Sequence, residues 1–179
     1  DTMQADDENG ANLADVWIDN RSALWTPEEV NTFCTALETA WDSSSVAQSL
    51  DSCEGRTVTQ GAMFHTNDTG QHIINSLWHG IAEGANADRV WMPEGHSEGR
   101  TAVAADEIVI DAHVTEALEL SLGDTVSIGA GNATAEFTIV GTGYHPLHVL
   151  FAPEGELFPS EPGQYVVGYL SDAGMARLT

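Results

Sequence analysis

Residues 107–128 read EIVIDAHVTEALELSLGDTVSI, and this stretch decides the predicted fold. Its first residues are apolar and mostly β-branched, which favours a short strand. Asp111 then stands where a helix N-cap is expected, and apolar residues at helical spacing continue to about Leu120. Gly123 follows in a Leu-Gly-Asp triplet typical of a tight turn, because glycine adopts positive φ without a steric penalty. The stretch therefore predicts a strand, a helix and a turn into a second strand.

The residues that follow predict a hairpin and one more strand. Residues 125–128 and 135–140 form the two arms, on either side of the turn-prone sequence Gly129-Ala130-Gly131-Asn132. Residues 141–163 are rich in Pro and Gly and predict a loop. Residues 165–170 predict a strand, after which a helical pattern begins.

The first third of the chain predicts a strand-helix-strand unit. A strand fits residues 11–19, and Thr26-Pro27-Glu28-Glu29 marks a helix start, with a capping hydroxyl and a Pro at the first helical position. A second strand fits residues 56–65. Residues 73–81 are compatible with a strand or a short helix, whereas residues 84–100 predict a loop.

These elements predict an α+β fold with small mixed β-sheets and a few packed helices, arranged as two subdomains. Residues 1–10 are expected to be a flexible lead-in, and residues 11–65 a strand-helix-strand subdomain. Residues 66–170 are expected to form a mainly β subdomain. Residues 171–179 are expected to start a returning helix that is truncated.

The charge of the chain excludes several classes of partner. All five basic residues are Arg, against 28 Asp and Glu, for a formal net charge of -23. Such a surface is repelled by phosphate backbones and by anionic lipid, so no nucleic acid is expected as a partner. The sequence also lacks the roughly 20 consecutive apolar residues that a membrane-spanning helix requires.

The two cysteines, Cys34 and Cys53, lie on neighbouring predicted elements. A disulfide across this short loop would stabilise the fold by roughly 3 kcal/mol in the chain-entropy model. A disulfide is expected in an oxidising compartment. Two unrelated buried thiols are the alternative.

The second half of the chain resembles the extracytoplasmic (MacB-like periplasmic core) domain of FtsX-like ABC-transporter permeases. In that family a short strand and a helix lead to the pattern L-G-L-x-x-G-D-x-V and another strand. The residues that match this block are Glu107, Leu118, Leu120, Gly123, Asp124 and Val126.

Further matches extend the resemblance over residues 95–178. The run FTIVG, which ends at Gly141, is similar to the family's F-x-V-V-G strand, and Gly99-Arg100 is similar to the Gly-Arg pair that precedes the block. Residues 165–178 resemble the strand and helix that come next. Family domains then continue with a second strand-helix-strand half, which this chain lacks.

The resemblance implies a location and a role. Such a domain lies on the extracytoplasmic face of the cell membrane, within a membrane-embedded full-length protein. It is coupled through transmembrane helices to a cytosolic ATPase subunit, and it binds an extracellular protein, peptide or small molecule. It is not an enzyme, and no catalytic residue, cofactor or metal is expected. ATP would not bind here, because the phosphate-binding loop needs a Lys and the chain has none.

Other chemistry in the sequence is weaker. His65, His72 and His79 recur every seven residues and His145 and His148 lie close together, but neither set forms the three or four converging ligands that zinc requires. Trp25, just before the predicted helix, is the Trp most suited to a surface contact.

Three triplets match the acceptor motif for N-glycosylation, at Asn20, Asn67 and Asn132, a motif short enough to arise by chance. Two alternative functions remain open. One is a secreted binding or adhesion domain unrelated to transport, and the other is a secreted hydrolase that uses a pair of the abundant carboxylates.

Overall fold

The structure, a computed structural model, describes residues 10, 12–20, 22–46, 49–67, 70–144, 158 and 160–179. It contains helices α1 (Pro27–Asp42), α2 (Ala112–Ala117) and α3 (Asp172–Met175). Its strands are β1 (Thr57–Asn67), β2 (Gly70–Ile81), β3 (Glu107–Asp111), β4 (Thr125–Ala130), β5 (Ala133–Gly143) and β6 (Tyr165–Ser171). None of the helices in these ranges has the length and apolar character needed to cross a bilayer.

The six strands close into one mixed β-barrel in the order β1-β2-β6-β3-β5-β4, with β4 pairing back onto β1. Strands β2 and β6 are parallel, as are β3 and β5, and the other neighbours are antiparallel. The predicted α+β fold with two subdomains is therefore wrong. Its boundary at residues 65 and 66 falls inside the β1–β2 hairpin, which pairs with β4 on one side and β6 on the other. Each strand therefore has a hydrogen-bonded neighbour on both sides over at least part of its length.

The barrel has an internal two-fold relationship. Exchanging β1, β2 and β3 with β4, β5 and β6 converts β1–β2 into β4–β5 and β2–β6 into β3–β5, each with the same direction, and maps β1–β4 and β3–β6 onto themselves. The sequence carries a short echo of this symmetry, since Gly55, Thr57, Val58, Gly61 and Ala62 recur as Gly123, Thr125, Val126, Gly129 and Ala130. Each half also ends with a strand followed by a short helix, α2 or α3.

The barrel interior is filled by residues from all six strands, among them Met63, Trp78, Ile108, Ile128, Phe137 and Leu170. Trp78 is fully buried and its indole N–H donates to the Gly129 carbonyl at 3.1 Å. Gly168 makes room for this ring, because a Cβ there would lie 2.7 Å from a Trp78 ring carbon. The large indole is thus accommodated by a glycine on a neighbouring strand.

A second apolar cluster covers the outer face of the neighbouring strands β3 and β6. It contains Val109 of β3 together with Tyr165, Val167 and Tyr169 of β6, and Val90 packs on it from the connecting segment. Strand β6 is therefore buried at every position. Burial on both faces explains why its sequence is a continuous apolar run and does not alternate.

Several local predictions are confirmed. Helix α1 begins with a capping box in which the Thr26 hydroxyl accepts from the Glu29 N–H and the Glu29 carboxylate accepts from the Thr26 N–H. Strand β1, the β4–β5 hairpin and strand β6 lie where the sequence predicts them, and the ambiguous residues 73–81 lie in strand β2. The strand predicted for 11–19 is wrong, because residues 12–20 have no regular structure. The predicted lead-in, apart from residue 10, lies outside the described residues. Most of the loop predicted for residues 141–163 does so as well.

Candidate functional site

The residues that carry the family resemblance contact one another. Residues 98–100 run antiparallel beside strand β5, with a backbone bridge between Gly99 and Gly141. The Arg100 N–H donates to the Val140 carbonyl at 3.0 Å, and the Thr142 N–H donates to the Glu98 carbonyl at 2.9 Å. A Cβ at either glycine would overlap the facing backbone, and Gly99 also has a φ of +77°. We call residues 98–100, paired in this way with β5, the strap.

Arg100 fastens the strap to the start of strand β3. Its guanidinium donates to both carboxylate oxygens of Glu107, with one distance of 2.7 Å. Glu107 Oε2 also accepts from the backbone N–H groups of Val103 and Ala104, both at 3.0 Å. These bonds, first the one from Arg100 and then the two from the backbone, lower the pKa of Glu107 to about 2. The pair therefore stays ionised through the neutral and mildly acidic range, and it joins two residues that are seven positions apart.

The turn at Gly123 and Asp124 is attached to strand β5. Gly123 has a φ of +91°, and its N–H donates to the Ile139 carbonyl at 2.8 Å. The Asp124 carboxylate accepts from the Ser121 N–H at 2.8 Å. Val126 is part of the barrel core, and Leu118 and Leu120 pack against that core. The motif residues thus have structural roles, as connections between β3, β4, β5 and the strap.

A polar cluster lies where strands β3 and β5 end. Asp111 is the last residue of β3 and is 1% exposed. It caps helix α2 by accepting from the His113 N–H at 2.9 Å, and its Oδ1 lies 3.0 Å from His113 Nδ1. The His113 side chain is 60% exposed and meets the Tyr144 ring edge-on at 5.1 Å. Tyr144 follows strand β5, and its hydroxyl donates to the His96 carbonyl at 3.0 Å.

Burial dominates the electrostatics of this cluster. It raises the pKa of Asp111 to about 6, although the hydrogen bonds and charge of His113 act in the opposite direction. Burial also raises the pKa of Tyr169 well above its usual range, and the charge of Asp111 adds to this. The pKa of Tyr144 is raised by burial and by the charges of Asp111 and Glu116. The cluster can therefore take up a proton near pH 6, in a position that the sequence identified only as a helix cap.

A second polar centre ties three segments together at Asp88. This buried residue has a φ of +48°, and its carboxylate accepts from the Ala14 N–H at 3.0 Å and from the Trp17 indole N–H at 2.8 Å. Arg56 donates to the carbonyls of Ala87 and Asp88. Burial lowers the pKa of Arg56, and the nearby charge of Asp88 opposes that effect. Sequence reasoning missed this centre, because an Asp in an irregular loop has no pattern that marks it.

The two cysteines, Cys34 and Cys53, form a disulfide with a Cα–Cα distance of 5.5 Å. Cys34 is the buried residue of helix α1, whose other apolar side chains are half-buried or exposed. Val30 of the same helix lies against Gly55, where an added Cβ would be 2.7 Å from a Val30 methyl group. The disulfide and this contact attach α1 beside the start of strand β1.

The histidines do not assemble into a ligand set within the described ranges. His65 and His72 are cross-strand partners in the β1–β2 hairpin, and buried His79 stacks on Tyr169 at 5.4 Å. Among the residues that the structure describes, no group of three or more His, Cys, Asp or Glu is placed to hold a metal ion. His145 and His148 lie outside those residues.

Trp25 is 39% exposed and contacts Phe33 at a ring distance of 5.2 Å.

Comparison with known proteins gives no family for this chain. No protein-family model matches it, and no curated protein matches it significantly.

Proposed function

We propose that this chain is the extracytoplasmic domain of an FtsX-like ABC-transporter permease. In this role it is a non-catalytic module that binds a partner outside the membrane and is coupled by conformational change to ATP hydrolysis in a cytosolic subunit. The observation that carries the proposal is the strap. Gly99 and Gly141 lie far apart in the sequence block that resembles the family, yet they meet, and Arg100 pairs with Glu107 of the same block.

The architecture supports a role in transmitting force. A closed barrel with every strand paired on both sides moves as a stiff body, because bending it would break backbone hydrogen bonds. A module of this kind can bias a bound partner between two positions only if it binds them with different affinity. Stiffness lets movement at the membrane be transferred to that partner without loss inside the domain.

The disulfide and the surface charge support a location outside the cytoplasm. Disulfides such as Cys34–Cys53 persist in oxidising compartments and are rare where thiols are kept reduced. The net charge of -23 keeps the domain away from anionic lipid, so it is held at the membrane by its flanking segments in the proposed protein.

The main candidates for chemistry are already committed to structural contacts. Glu107 is paired with Arg100, Asp88 binds backbone and indole N–H groups, and Asp111 caps helix α2. These assignments favour a binding module over a hydrolase.

A secreted binding domain without a transporter is the second candidate. It is favoured by a short region in which several large apolar side chains are exposed. These residues are Val16, Trp17, Ile18, Leu24 and Trp25.

Thiol labelling of the full-length protein in its own cells tests the location. Cys34→Ser leaves Cys53 as a half-buried free thiol, which a membrane-impermeant maleimide reaches in intact cells only from outside. The wild-type protein, with both cysteines paired, is the matched control, and lysed cells give the full signal. Labelling in intact cells is expected, and labelling only after lysis would overturn the extracytoplasmic location.

Co-purification from detergent-solubilised membranes tests the transporter itself. The full-length protein is expected in the membrane fraction together with a subunit that hydrolyses ATP. Recovery from the culture medium without such a subunit would favour the secreted binding domain and contradict the permease.

A further inference from the structure

We propose that Asn20 and Asn132 are N-glycosylation sites whose glycans lie on one side of the barrel. Both residues begin Asn-x-Ser/Thr triplets, and both side chains belong to exposed residues. The inference rests on the proposed extracytoplasmic location, because glycosylation enzymes of this type act on chains outside the cytosol. The motif is a chance-prone signal in sequence, so its placement in the fold decides its meaning.

Asn132 lies at the tip of the β4–β5 hairpin. Ala130 and Ala133 are the last paired residues, so Gly131 and Asn132 form a two-residue turn that projects beyond the sheet. Gly131 has a φ of +54°, as such turns require. Thr134, the hydroxyl residue of the triplet, is also exposed. An enzyme can reach this turn without opening a strand pair.

Asn20 lies in a segment without regular structure, so an enzyme can reach it, as it can the turn at Asn132, without opening a strand pair. Its Oδ1 accepts from the Ser22 N–H at 3.2 Å and from the Ser22 hydroxyl at 2.7 Å. The hydroxyl that the motif requires is therefore already held against the acceptor amide. Hydrogen bonds from Ala14 and Trp17 attach this segment to Asp88, and Asn20 lies three positions after Trp17.

One shallow groove relates the two sites. Its lining comes from Leu24, β1, the β4–β5 turn and the C-terminal residues, and it includes Asn132 itself. Leu24 is 60% exposed and lies four positions after Asn20, a separation that a chain spans in at most about 14 Å. A glycan on Asn132 therefore lies at the wall of this groove, and the chain length places Asn20 within about 14 Å of its Leu24 wall.

The modification is a group transfer from a lipid-linked oligosaccharide. The amide nitrogen of Asn forms a bond to the anomeric carbon of the first sugar and loses one proton. The bond from that carbon to the phosphate oxygen of the lipid carrier breaks, and the lipid phosphate or pyrophosphate leaves with the electron pair. No oxidant or reductant is involved. The donor and the transferase come from the source cell.

Peptide mass spectrometry on the full-length protein isolated from its own cells tests both sites. Each site is expected to carry a glycan mass in the majority of molecules. Ser22→Ala and Thr134→Ala should each remove one glycan, and the double variant should remove both. Ser22→Thr and Thr134→Ser are the matched controls, because they keep the motif and should keep the glycan.

Labelling of Cys53 in the Cys34→Ser protein from the same cells separates the two ways in which the proposal can fail. Labelling from outside with unmodified Asn20 and Asn132 overturns the glycosylation sites and leaves the location standing. Absence of both labelling and glycans overturns the location as well. A glycan at one of the two residues supports that site and overturns the other, and a glycan at Asn67 alone overturns both.

Discussion

Gly99 and Gly141 meet in a backbone bridge that leaves no space for a side chain on either residue. Because they are separated by 42 positions (141 minus 99), this contact joins the strap to strand β5 over a long loop of chain. It is supported on one side by the Arg100–Glu107 ion pair.

Gly99→Ala should destabilise the protein by roughly 2–4 kcal/mol, since it combines strain at positive φ with overlap against the Val140 carbonyl. Gly95→Ala is the matched control. Gly95 has a φ of +79°, close to the +77° of Gly99, but nothing lies within 4 Å of its added Cβ. It should therefore cost only the backbone strain, about 1 kcal/mol. Urea unfolding of both variants measures the difference, and equal costs would show that the close approach is unimportant.

Glu107→Gln should lower stability at pH 7 by about 1–2 kcal/mol, a figure reduced for solvent screening because Arg100 is exposed. The folded pKa of Glu107, about 2, lies below its ordinary value of 4.5. The stabilisation is therefore present above about pH 4.5 and is lost as the pH falls toward 2. The unfolding free energy of the wild type should exceed that of Glu107→Gln at pH 7, and this difference should become smaller at pH 2.5. Glu38→Gln, at an exposed position of α1, should have little effect at either pH.

The parts of this fold that sequence could predict are those that short-range chemistry determines. Thr26 and Glu29 predict the start of α1, and Gly123 predicts a turn, because the capping box and the turn each depend on interactions within a few residues. The closure of the barrel depends instead on pairing between β2 and β6, about 90 positions apart in sequence. No local pattern encodes such a pairing. The echo of residues 55–62 in residues 123–130 is the signal that would have indicated two related halves.

The candidate sites show the same division. The resemblance includes Gly99, Arg100, Glu107 and Gly141. Only the fold shows that the strap brings them into contact, Gly99 with Gly141 and Arg100 with Glu107. Asp111 was predicted as a helix cap, and it is one. Its burial could not be predicted, because it results from the packing of the ends of β3 and β5 around it.

Asp111→Asn should stabilise the protein above pH 6 by about 2–3 kcal/mol and have no such effect below pH 4. Burial raises the folded pKa of Asp111 from 3.8 to about 6, so the wild-type contribution is fully favourable below 3.8 and is lost as the pH rises through 6. Asn keeps the capping oxygen without the buried charge. The groups that face Asp111 are His113, Tyr144 and Tyr169.

Unfolding free energies from pH 4 to pH 8 test this prediction. His113→Gln is the control that isolates the charge of the imidazole, and it should raise the pKa of Asp111 further, because His113 lowers it at present. The carboxyl carbon chemical shift of Asp111 reports this pKa directly. A parallel pH dependence in wild type and Asp111→Asn would contradict the assignment.

Removing the disulfide should release helix α1 while the barrel stays folded. Cys34 is the residue through which α1 is buried, whereas the barrel core is built from residues of the six strands and the two short helices that follow β3 and β6. Cys34→Ala with Cys53→Ala should lower stability by about 3 kcal/mol in the chain-entropy model. Amide hydrogen exchange should then show loss of protection over Pro27–Asp42 with protection retained in β3, β5 and β6. Reduction of the wild-type protein should reproduce the same pattern. Equal loss of protection in the strands would mean that the barrel itself depends on the helix.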